Sequence, residues 1–62
     1  MRPATIILRD GVHGPFVGHA DIGPGGIITA VGHFTKIGQR IERSWPLHRI
    51  DEIRWHTAEA TS

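Results

Sequence analysis

Residues 16–35 read FVGHADIGPGGIITAVGHFT, and this stretch decides the fold. At its middle stands Gly23-Pro24-Gly25-Gly26. Pro24 has no amide hydrogen to donate, and the glycines reach backbone conformations closed to other residues, so the chain turns here. Before the turn, Phe16, Gly18, Ala20 and Ile22 alternate with Val17, His19 and Asp21, which is the two-residue period of an extended chain. After it come the β-branched Ile27, Ile28, Thr29 and Val31, which also favour strand. The stretch therefore reads as a β-hairpin with a glycine-proline tip. Small Gly18 and Ala20 between larger neighbours predict a strand that bends or admits another strand closely. Gly32 interrupts the second arm and reads as a bulge.

Working outward, residues 4–9 form a first strand, with Ala4, Ile6 and Leu8 on one face and Thr5, Ile7 and Arg9 on the other. Asp10-Gly11 and Gly14-Pro15 supply the connecting loop. Beyond the hairpin, Lys36-Ile37-Gly38 is a turn, and residues 39–45 form a fourth strand. Ile41, Arg43 and Trp45 share one of its faces; Arg40, Glu42 and Ser44 share the other. Pro46 ends it. Leu47, Ile50 and Ile53 recur every third residue, so residues 47–50 read as a single helical turn, followed by a last strand over 51–56 with Ile53 and Trp55 inward. A helix over 47–60 is disfavoured by adjacent β-branched and aromatic residues. Residues 57–62 are small and polar and read as a frayed tail. Leu8, Ile22, Ile41, Ile50 and Ile53 are the expected core, with Leu47 and Ile50 dropping into one end. Ile7, Val17 and Ile28 are the expected outer apolar positions.

Five short strands with one helical turn before the last make an all-β chain, and closing them into a small barrel removes exposed edges. The order of elements resembles the SH3-like barrels. Leu8 and Gly11 followed by Gly18 and Asp21 are similar in spacing to the first motif of the Sm-like variant. This likeness is one of architecture; it implies a closed barrel, and it permits RNA binding or ring assembly.

The chain has 62 residues, which is room for one domain, 1–62, and no more. A core this small ordinarily needs help from disulfides, metal or a partner subunit. There is no cysteine, so disulfides, thiolate metal sites and cysteine nucleophiles are excluded. A partner subunit is then the expected support. The apolar run 6–8 is too short for a signal-peptide core or a membrane span, so the expected setting is the cytoplasm, cellular or viral, with no membrane partner.

Chemistry-bearing groups are sparse. His13, His19, His33, His48 and His56 lie far apart and lack the spacing of a structural metal site. His19, Asp21 and His33 read as the polar outer face of the hairpin. Ser44 has no nucleophile elbow, and Asp10, Asp21, Asp51 and Glu52 suggest no paired carboxylates. The glycine-rich tip lacks the lysine and helix of a phosphate loop. No enzyme, metal or cofactor is implied. What remains is a C-terminal half carrying Arg40, Arg43, Trp45, Arg49 and Arg54, a combination suited to interface anchoring or phosphate contact. Arg43 falls on the inward face and so needs Glu42 or Glu52 beside it, or a place at the barrel mouth. With a net charge of only +1, the first expectation is protein–protein interaction or self-assembly into a homo-oligomer. The second is an RNA- or DNA-binding barrel.

Overall fold

The computed structural model describes residues 1–56. It contains β1 (Arg2–Leu8), β2 (Phe16–Ile22), β3 (Ile27–Phe34), β4 (Ile41–Pro46) and β5 (Ile50–Trp55). A 3-10 turn over Pro24–Gly26 joins β2 to β3, and another over Leu47–Arg49 precedes β5. The glycine-proline tip and the helical turn thus stand where the sequence places them. The tail expected to fray lies outside the described residues.

All five strands form one antiparallel sheet in the order β4-β3-β2-β1-β5. The sheet is open. The closed SH3-like or Sm-like barrel expected from the element order is therefore overturned: β4 and β5 lie at opposite edges. Each edge strand is six residues long. β4 ends in Pro46, which cannot donate to a ladder, and the β1–β5 register shifts between Ile7 and Leu8.

One face of the sheet carries the core, made of Ala4, Ile6, Phe16, Ala20, Ile28, Ala30, Phe34 and Ile50. Its design is large beside small. Alanines on β1, β2 and β3 leave room over the sheet, and aromatic rings occupy it. Phe16 meets Phe34 edge-on at 5.0 Å and Trp45 at 5.3 Å between centroids. Such tilted contacts align positive ring edges with negative faces. Leu8, Ile41, Trp45, Ile53 and Trp55 pack around this centre, half-buried.

Several strand phases need correction. Of the expected core, Ile50 is buried, whereas Leu8, Ile41 and Ile53 are only half-buried and Ile22 is 47% exposed. Ile22 ends its strand at the tip, where nothing covers it. Ile28, expected outside, is fully buried because it lies between Ile22 and Trp45 in the ladders. Leu47 stays 39% exposed instead of dropping inward. The expected bulge at Gly32 is absent: Gly32 pairs in register with Gly18. A Cβ on either glycine would meet the partner strand's backbone, so the pair marks a close approach, as Gly18 suggested.

Candidate functional site

Two concavities adjoin the residues singled out above. The first is a cleft of about 290 Å³ lined by Leu8, Arg9, Asp10, Trp45, His48 and Arg49. Three segments build it. Leu8 ends β1, and Arg9 and Asp10 enter the following loop. There the Asp10 carboxylate accepts the Val12 backbone N–H at 3.2 Å, holding the turn. The Arg9 backbone N–H donates to the Arg49 carbonyl at 3.1 Å, which ties this loop to the Leu47–Arg49 turn. Trp45 is the last inward residue of β4 before Pro46. Its indole leans on Phe16 and on Phe34, the latter 6.1 Å away between centroids, so the cleft wall is fixed by the core behind it.

The cleft thus joins a rigid half-buried indole and a leucine to two arginines, one aspartate and one histidine. An apolar group can rest on Trp45 and Leu8, while Arg9 and Arg49 offer forked donors to a carboxylate or phosphate. Asp10 keeps the cleft from being purely cationic.

The second concavity, about 380 Å³, lies on the opposite face over the Gly18–Gly32 pair and is lined by Val17, His19, Val31, His33 and Arg40. In the hairpin register His33 stands opposite Val17, His19 opposite Val31 and Asp21 opposite Thr29, so the two histidines line this concavity without facing each other directly. Among the described residues, no three His, Cys, Asp or Glu side chains are grouped to hold a metal ion.

The five residues singled out from sequence are not gathered into one surface. Trp45 and Arg49 share the first cleft. Arg40 lines the second concavity. Arg43 is inward-facing but exposed at the β4 edge opposite Ala30, and among the described residues it makes no ion pair with Glu42 or Glu52. Edge placement lets water solvate it. Arg54 lies on the outer face of β5, where its Nε donates to a Glu52 carboxylate oxygen at 2.6 Å. That hydrogen bond, with the attraction of the carboxylate charge, holds the guanidinium above its ordinary pKa. Arg9, Asp10, Leu8 and His48 complete the cleft without having been singled out as binding residues. The signal for Arg9 was available only through pairing, because β5 returning beside β1 brings Arg9 to Arg49. At the other end of the inner face the Arg2 guanidinium stacks over Trp55 at 4.6 Å.

Among the described residues, no helix is long and apolar enough to cross a membrane. Comparison with protein-family models, curated proteins and solved structures finds no match for this chain.

Proposed function

We propose that this chain is a non-catalytic protein-interaction module that takes a short acidic segment of a partner protein in the Trp45 cleft. The observation that carries the reading is the pairing of a core-braced indole with Arg9 and Arg49 in one open cleft. A tryptophan seated beside arginine is the composition most enriched at the energetic centres of interfaces. The cleft holds no carboxylate pair and no activated nucleophile beside its single histidine, which favours binding over turnover. The distribution of charge favours protein over nucleic acid. Arg40 and Arg43 lie on different faces from one another, Arg54 is paired with Glu52, and Asp10 stands within the cleft itself. A backbone-tracking groove would need a continuous basic stripe.

The test is a selection of displayed random peptides on the immobilised chain, followed by anisotropy titration of a labelled winner. Enrichment of Asp or Glu beside a large apolar residue is expected. Arg49→Glu should weaken the peptide by about tenfold or more, equivalent to about 1.4 kcal/mol. Arg40→Glu, on the other face, should leave it unchanged. Labelled single-stranded and duplex oligonucleotides at low and physiological salt form the opposing arm. Salt-sensitive oligonucleotide binding lost in Arg49→Glu, with no peptide enriched, would replace this reading with nucleic-acid recognition.

A further inference from the structure

The free edge of β5 carries a charge pattern that is complementary to itself. β5 pairs with β1 on one side, and among the described residues nothing pairs with its other side. The His56 backbone N–H donates to the Pro3 carbonyl at 2.9 Å, so the backbone of His56 faces β1. Antiparallel ladders alternate, and Arg54 and Glu52 therefore also turn their backbone groups to β1, while Ile53 and Trp55 turn theirs to the open edge. On the side-chain level the division is by face: Glu52 and Arg54 are exposed on the outer face, and Ile53 and Trp55 sit half-buried against the core on the inner face.

We infer that two copies of this chain associate through antiparallel pairing of β5 with β5, centred on Ile53. In that register the Ile53 N–H and C=O of each copy exchange hydrogen bonds with those of the other. Glu52 stands opposite Arg54 of the second copy, and Arg54 opposite its Glu52, on the outer face. On the inner face the two Ile53 side chains meet, and the apolar surface of one sheet continues into the next. Neighbouring registers are excluded by charge, since centring on Glu52 opposes two carboxylates and centring on Arg54 opposes two guanidinium groups. β4 is the poorer edge. Centring it on Glu42 or on Arg43 sets like charges together, and Pro46 removes a donor. The two-fold arrangement is isologous and closes on itself, so it yields a dimer and not a filament. It uses none of the residues of the Trp45 cleft, and the two readings stand or fall separately.

The experiment is sedimentation of the full chain over a wide concentration range, each variant being checked for an unchanged circular dichroism melt. The wild-type chain should convert from monomer to dimer as concentration rises. Glu52→Arg opposes two arginine pairs across the dyad, and Arg54→Glu opposes two glutamate pairs; each should weaken the dimer by about tenfold or more. Mixing the two single variants in equal amounts should restore association as a heterodimer, because every opposed pair is then of unlike sign. The exchanged double variant E52R/R54E keeps all pairs complementary and should dimerise like the wild type, which covers the case of a single variant that folds poorly. A chain monomeric at all concentrations would overturn the proposal. So would a dimer indifferent to both reversals, or single variants that do not rescue each other.

Discussion

Adding one methyl group at Gly32 should be among the most damaging small changes available to this sheet. Gly18 and Gly32 stand opposite each other in the β2–β3 ladder. A Cβ on Gly32 would land on the Val17 carbonyl oxygen and 2.8 Å from the Gly18 Cα; one on Gly18 would land on the Val31 carbonyl oxygen and 2.7 Å from the Gly32 Cα. Every obstacle is backbone, so no side-chain rotation relieves the overlap and the two central strands must separate. Overpacking a tight interior costs about 1–3 kcal/mol, and backbone resistance places Gly32→Ala near the upper figure. A chain of this size is stable by only about 3–9 kcal/mol. A loss of 3 kcal/mol would lower its melting temperature by about 12–24 °C. Gly11→Ala is the control: it has φ +60° and nothing within 4 Å of the added atom, so only the left-handed backbone is penalised, at about 1–2 kcal/mol. The double variant G18A/G32A should cost less than the sum of its parts, because one separation of the strands accommodates both methyls. Urea and thermal melts of the wild type, the three single variants and the double variant provide the measurement. If Gly32→Ala melts at or above Gly11→Ala, the close approach of β2 and β3 is not what holds glycine at these positions.

Two further outcomes follow from burial and from the edges. Ile28→Ala should cost about 2–5 kcal/mol by creating a cavity under Trp45, whereas Ile22→Ala and Leu47→Ala, at exposed sites, should each cost less than about 1 kcal/mol; equal losses in urea melts would invalidate the assigned inner face. In native-state hydrogen exchange of the dilute chain, the amides of Glu52 and Arg54 should be protected and those of Ile53 and Trp55 should exchange fast. Slow exchange at Ile53 under those conditions would mean that the β5 edge is already covered.

The elements were legible because their punctuation is chemical. Pro24, Pro46 and the paired glycines bound the strands, and alternation assigned Ala4, Ile6, Phe16, Ala20 and Trp45 to one face. Closure of the sheet was not legible. The meander β1 to β4 pairs strands that are neighbours in sequence, but the return of β5 to β1 does not, and whether β4 and β5 meet depends on curvature, which no local pattern encodes. Adjacent Ile27 and Ile28 send one side chain to each face, and the tip does not say which goes inward. The residues of the proposed cleft were half legible for the same reason. Composition pointed to Trp45 and Arg49, while Arg9 joined them only through the β1–β5 ladder, and Arg54 was withdrawn by a neighbour two positions away.

That ladder also imposes a schedule on the chain. β1 through β4 form a meander in which each strand pairs with the next, so their contacts close over short stretches. β5 alone must reach back across three strands to lie beside β1, with Leu8 meeting Ile50. Closing so long a loop is the slow, entropically opposed step of such a topology. During synthesis the residues of β1 through β4 all precede those of β5. Until β5 arrives the outer side of β1 is open, and with it the half of the cleft that Arg49 supplies. The proposed cleft is thus complete only once β5 has paired with β1.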